Sequence, residues 1–244
     1  MSTSTSEVGH AINVANFNTL ITYCTGYGAV YNPAIDVIKL PQLQTKYNLA
    51  KQKLNQAEVK KALLNTAVNE RIEAFAGLEI LCTKVTNAFA VSGASATDVK
   101  DLQTINKKIQ GSEKKKTKIL KDGEGEGIST SQQSYDSKIN FFINFIQFLE
   151  TKPFYKPNEE ELKIPALQAK LAIMETKNAA YDEALFNYNQ ELNGRNDEMY
   201  NPTTGLVQVS KDVKKYAKSI FGASSPQFKQ LNQLEFKVIK SKIR

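Results

Sequence analysis

Residues 42–76 read QLQTKYNLAKQKLNQAEVKKALLNTAVNERIEAFA, and a related stretch, ALQAKLAIMETKNAAYDEALFNYNQELNGRNDEMY, follows 124 residues later at 166–200. The segments that precede them match at the same offset, because Tyr31-Asn32-Pro33 corresponds to Tyr155-Lys156-Pro157. A constant offset over such long stretches indicates an internal duplication. We therefore expect two versions of one helical unit.

Apolar residues recur in the first stretch at alternating spacings of four and three. This spacing places them on one stripe of a helix that packs lengthwise on its neighbours. The stripe consists of Leu43, Tyr47, Ala50, Leu54, Ala57, Lys61, Leu64, Val68, Ile72 and Phe75, and Leu167 to Met199 repeat it. Lys61, Asn178 and Asn196 are polar interruptions, which we expect at the edge of the buried face and in reach of solvent.

The composition favours an all-α protein, because Val and Ile form no alternating runs while Asn, Gln, Lys, Glu, Ala and Leu dominate. Each long helix would span roughly 50 Å. We therefore expect an elongated helical bundle built from two tandem homologous units, each with a short helix, a long helix and two medium helices. The predicted divisions are a disordered start at 1–10, unit one at 11–110, a flexible charged linker at 111–134 and unit two at 135–244.

Turn residues give approximate helix limits. We predict helices near 11–25, 42–76, 78–91 and 97–110, and again near 136–151, 166–200, 206–221 and 226–242. Two prolines precede each long helix and leave two interpretations open. Either Pro33 and Pro157 open the helix and Pro41 and Pro165 kink it, or Pro41 and Pro165 lie in its first turn. We expect a kinked start.

The net charge of +7 is spread along the chain, with +3 in residues 1–111, +1 in 112–135 and +3 in 136–244. An even spread is a weak indicator of nucleic-acid or membrane binding. The concentrated basic stretch comprises Lys114, Lys115, Lys116, Lys118 and Lys121, with Tyr135 nearby for base stacking. Because acidic residues flank these lysines, a nucleic-acid-binding accessory role through them is an alternative and not the main interpretation.

The catalytic inventory is small. The single histidine, His10, falls in the predicted disordered start, which argues against a catalytic triad or a histidine-rich metal site. Glu70 and Glu73 share a helix face, but such a pair is typical of a solvated surface. We predict no catalytic, cofactor-binding or metal-binding residue, no small-molecule substrate and no enzyme activity.

Cys24 and Cys82 are the two cysteines, and their spacing is not that of a metal site. Their counterparts in the second unit, near Phe148 and Ser210, are a hydrophobe and a hydroxyl residue. We expect ordinary packing positions for both cysteines. A disulfide between them is the alternative.

Residues Phe141 to Leu149 are apolar nearly all round the predicted helix. They form either the buried centre of unit two or the insertion element of an α-helical pore-forming protein. No run reaches the roughly 18–20 apolar residues that cross a bilayer, and residues 1–10 lack the features of a signal peptide. The sequence therefore predicts a cytoplasmic protein, with membrane action as an alternative.

Several stretches of the second unit carry a resemblance: Ile128-Ser-Thr-Ser-Gln-Gln-Ser-Tyr135, Tyr155-Lys-Pro-Asn158, Asn201-Pro-Thr-Thr-Gly-Leu-Val207 and Phe221-Gly-Ala-Ser-Ser-Pro-Gln227. They resemble parts of uncharacterised, duplicated, all-helical proteins of bacteria. The resemblance implies a bacterial setting and supports the duplication. It implies no activity.

Taken together, these patterns favour a non-catalytic structural or protein-interaction role. The expected partner is another protein or a second copy of the chain. Tyr181 and Tyr188 are candidate contact residues, because the first copy has Ala57 and Leu64 at those positions. The alternative is that both tyrosines fill the core.

Overall fold

The computed structural model describes residues 5–111 and 134–239. Within these ranges the chain is helical and contains no strand, so the prediction of an all-α protein is confirmed. The α-helices there are α1 (Thr5–Gly26), α2 (Leu40–Phe75), α3 (Leu78–Ala90), α4 (Ala96–Gln110), α5 (Tyr135–Glu150), α6 (Ile164–Tyr200), α7 (Leu206–Phe221) and α8 (Pro226–Gln233). The predicted linker, 111–134, lies almost wholly outside the described residues.

Helix α1 begins earlier than the sequence predicted. It starts at Thr5, so the prediction of a disordered segment through residue 10 is wrong for residues 5–10. His10 is fully buried, and its Nδ1 lies 2.5 Å from the Tyr200 hydroxyl. A packed face of this kind stabilises a helical turn that local sequence alone does not indicate.

The start of each long helix has the same local geometry. Pro41 and Pro165 lie in the first turn of α2 and α6, where a missing N–H leaves no hydrogen bond unmade. The interpretation in which Pro33 and Pro157 open these helices, with a kink at the later prolines, is therefore wrong. The preceding loops each contain a 3₁₀ turn, Asp36–Ile38 and Glu160–Leu162.

A buried tyrosine fixes each of these loops. The Tyr31 hydroxyl donates to the Ile38 carbonyl at 2.7 Å, and the Tyr155 hydroxyl donates to the Leu162 carbonyl at 2.8 Å. Burial of these phenols raises the pKa of both, that of Tyr155 to about 12. The hydroxyls therefore remain protonated donors throughout the physiological pH range.

The chain divides into two compact units by packing. One, the outer-chain unit, comprises Met1–Leu64 and Ala184–Arg244, and the other, the mid-chain unit, comprises Asn65–Glu183. These units do not coincide with the predicted units, 11–110 and 135–244. Each compact unit instead takes residues from both of those stretches.

Each unit has its own core. In the outer-chain unit, Phe17 and Leu20 of α1 pack with Leu43 of α2, Met199 of α6 and Val213 of α7. In that unit α2 and α6 are antiparallel, because Lys46 pairs with Glu198 at 2.9 Å and Lys53 with Glu191 at 3.6 Å.

The core of the mid-chain unit surrounds α5. Phe142, Phe145 and Leu149 are fully buried and pack with Phe89 of α3 and Leu167 of α6. One face of the segment Phe141 to Leu149 is thus core in this structure. Within the described residues no helix is both long and apolar enough to cross a bilayer.

Helix α8 is shorter than predicted. It ends at Gln233 instead of near residue 242, and residues 234–239 follow without helical structure. Side chains of α1 and α7 hydrogen-bond to the main chain of this segment, as described below. These contacts replace the hydrogen bonds that a continued helix would make.

Candidate interaction surfaces

The lysines predicted as a polyanion contact, Lys114, Lys115, Lys116, Lys118 and Lys121, lie outside the described residues. Tyr135, which the sequence placed near them as a stacking residue, lies at the first position of α5 in the mid-chain unit. Its ring makes an edge-to-face contact with Phe75, at a centroid distance of 4.7 Å. Tyr135 is therefore used for packing within its unit.

Arg71 is the focus of a polar cluster that the sequence did not reveal. Its guanidinium carbon lies 3.4 Å from the centroid of the Tyr181 ring and 4.0 Å from that of Tyr135. Asn178 accepts a long hydrogen bond from Arg71 Nη1, at 3.5 Å, and donates to Asp136 at 2.8 Å. We call these five residues the Arg71 clamp.

The clamp explains two features of the sequence. Asn178 was expected at a solvent edge, but it is buried, and its amide is tolerated because both ends are hydrogen-bonded. Tyr181 is half-buried and stacks on a cation within its own unit, while Tyr188 is half-buried on α6. Neither tyrosine is a fully exposed contact residue.

The residues with catalytic potential are engaged or inaccessible. Both cysteines are free and fully buried, and burial raises the pKa of each thiol to about 12. Glu70 forms an ion pair with Lys177 at 2.9 Å. In the part of the chain that the structure describes, no three His, Cys, Asp or Glu side chains cluster as metal ligands would.

A surface groove of about 490 Å³ runs along α2 in the outer-chain unit. Its lining residues, which we call the α2 groove, are Asn48, Lys51, Gln52, Asn55, Gln56, Val59, Lys60 and Glu191. Positions 48, 52, 55 and 59 lie on one helix face because they are spaced by three and four. The groove therefore presents a row of amides beside a valine.

Exposed apolar side chains beside the α2 groove favour a ligand. Val59 remains 59% exposed, and Leu63, one turn further along α2, remains 52% exposed. Such side chains leave water when another chain supplies an apolar surface.

No protein-family model, curated protein or solved structure matches this chain.

Proposed function

We propose that the protein is a non-catalytic interaction protein that binds another protein, or a second copy of itself, through the α2 groove. The observation that carries the proposal is the exposed Val59 in the groove, with the exposed Leu63 one turn further along α2. A partner that covers this surface would remove its exposed apolar side chains from water.

The charges of the groove define the chemistry of the partner. Lys51 and Lys60 contribute positive charge, whereas the one acid of the lining, Glu191, already has Lys53 at 3.6 Å. A complementary partner would carry carboxylates next to apolar residues, as an acidic amphipathic helix does.

Photo-crosslinking tests this proposal in the native cell. A photoreactive phenylalanine replaces Val59, and the matched control carries it at Val91, which is 86% exposed in the mid-chain unit. We expect a discrete adduct from position 59 that is lost when Lys51 and Lys60 are changed to Glu. Equal adducts from both positions, or none from position 59, would contradict the proposal. The mass of the adduct distinguishes a second copy from another protein.

We also propose that the chain is an internal duplication whose two repeats interleave. At the offset of 124 residues, the 3₁₀ turn Asp36–Ile38 matches Glu160–Leu162 and the start of α2 matches that of α6. Tyr31 and Tyr155, whose hydroxyls make equivalent hydrogen bonds, are separated by the same offset. Each repeat then gives its first half to one compact unit and its second half to the other.

A further inference from the structure

Residues 234–239, which we call the strap, are held along α1 in the outer-chain unit by their main-chain atoms. Asn13 Nδ2 donates to the Lys237 carbonyl at 2.7 Å, and the Lys237 N–H donates to Asn13 Oδ1 at 3.0 Å. Asn16 Nδ2 donates to the Glu235 carbonyl at 2.8 Å. Two asparagines one helical turn apart thus hold alternate residues of the strap, as the two-residue period of an extended chain requires.

The Asn13 amide is held in place by groups other than the strap. It is 1% exposed, and its Nδ2 also lies 3.3 Å from the Tyr200 hydroxyl, which His10 Nδ1 contacts. A buried amide with an anchored orientation is preorganised to pair with one residue's N–H and C=O together. Loss of the strap would remove two hydrogen bonds of the Asn13 amide, one from each end of the side chain.

Both ends of the strap have further contacts. Lys214 Nζ of α7 donates to the Leu234 carbonyl at 2.5 Å. At the other end Gly9 allows a close approach, since a Cβ there would lie 2.8 Å from Ile239 Cδ1. Phe236 packs against the core of the unit, and Lys214 Nζ lies 5.4 Å from its ring centroid.

We propose that this face of the outer-chain unit is a binding site for the main chain of an extended peptide. In this structure the chain's own strap occupies the site, in cis, and the strap of a second copy can occupy it in its place, in trans. The side chains of the site hydrogen-bond to main-chain atoms of the strap, so a strap from the same chain and a strap from a second copy would make the same hydrogen bonds. Phe236 and the fit of Ile239 at Gly9 select this sequence. A second copy of the chain necessarily supplies it.

The covalent connection favours the cis arrangement in the unmodified chain. A short connection gives a tethered segment an effective concentration in the millimolar range. Exchange with a second copy therefore becomes measurable when one chain has a free site and another has a free strap. This site uses α1 and α7 and shares no residue with the α2 groove, so either proposal can fail alone.

A pair of full-length variants tests the exchange. In the acceptor, Lys237→Pro removes the N–H that Asn13 binds, so its strap binds poorly while its site is intact. The preceding residue keeps the extended form that it has in the strap. In the donor, Asn13→Ala removes the site and leaves its strap intact. We expect the mixture to form a 1:1 heterodimer in light scattering, at about 100 µM each, and each variant alone to give a weaker association by about tenfold or more.

The matched control replaces Asn13→Ala in the donor by Asn18→Ala, an exposed asparagine on the same helix. That chain keeps its cis strap and should not pair with the acceptor. Should Asn13→Ala or Lys237→Pro fail to fold, Asn16→Ala as donor and Phe236→Ala as acceptor make the same test. If neither pair associates more than its control, or if Asn18→Ala pairs as well as Asn13→Ala, the proposal is overturned.

Discussion

At the scale of single residues, Arg71 packs against two aromatic rings in the mid-chain unit. Its guanidinium stacks on Tyr181 and lies over Tyr135, so two rings and one amide depend on it. Cation–π contacts that are partly desolvated contribute about 2 kcal/mol. We predict that Arg71→Ala lowers the free energy of unfolding by about 2 kcal/mol in urea titrations.

Lys61→Ala is the control, because Lys61 is a half-exposed polar residue of the same helix. It should change the free energy of unfolding by less than about 0.5 kcal/mol. An Arg71→Ala effect as small as that of the control would show that the clamp is not stabilising. Arg71→Lys keeps the charge without the planar stacking surface and should fall between them.

The cysteines make a second prediction at this scale. A thiol with a pKa of about 12 is almost entirely protonated at pH 8, and both Cys24 and Cys82 are also shielded from solvent. A thiol-reactive chromogenic disulfide at pH 8 should therefore titrate no cysteine in the native protein and two in 6 M guanidinium chloride. Rapid reaction of either native thiol would contradict the burial described here.

At the scale of elements, the sequence predicted the helices well and their buried faces less well. The stripe of α2 begins as predicted, with Leu43, Ala50 and Leu54 buried, and Phe75 at its end is also buried. Ile72, however, is 52% exposed, and Ala67 and Ala74, each one residue before a predicted position, are buried. A strict seven-residue pattern drifts by about 20° per heptad on a straight α-helix. Over four heptads this drift turns the buried face by roughly 80° around the helix axis. Adjacent residues lie about 100° apart around that axis, so the buried position moves by about one residue.

Tertiary contacts set the helix ends that sequence patterns missed. Local sequence gave no sign that His10 would be buried against Tyr200, or that Asn13 would hold the strap in place of a longer α8. The Arg71 clamp was missed for the same reason, since its residues lie on α2, α5 and α6. In contrast, Ser95 and Ser225 cap α4 and α8, and such caps can be predicted from sequence because a cap depends on residues only three apart.

Helix α5 provides the element-scale prediction. Phe142 is fully buried at the centre of the mid-chain unit, so Phe142→Ala should lower the free energy of unfolding by about 3–5 kcal/mol. Asn144→Ala, at an exposed position of the same helix, should change it by less than about 0.5 kcal/mol. Chemical denaturation followed by circular dichroism measures both. Similar effects from both variants would contradict a core role for α5.

At the scale of the whole molecule, the sequence predicted a repeat but not how the chain packs. The similar stretches at an offset of 124 residues led to the prediction of two units that follow one another along the chain, 11–110 and 135–244. The cores instead combine α1 with α7 and α8, and α5 with α3 and α4. Sequence patterns specify which faces are apolar, whereas long-range packing decides which of these faces pack together.

Cleavage between residues 111 and 134 tests the interleaved arrangement most directly. A specific protease site inserted there divides the full-length protein into two fragments, one for each repeat. Because each compact unit draws its core from both fragments, we predict that they remain together after cleavage and elute from a size-exclusion column as one 1:1 complex, which separates in denaturant. Fragments that separate under native conditions, each folded, would show that the repeats are independent domains and would contradict the account.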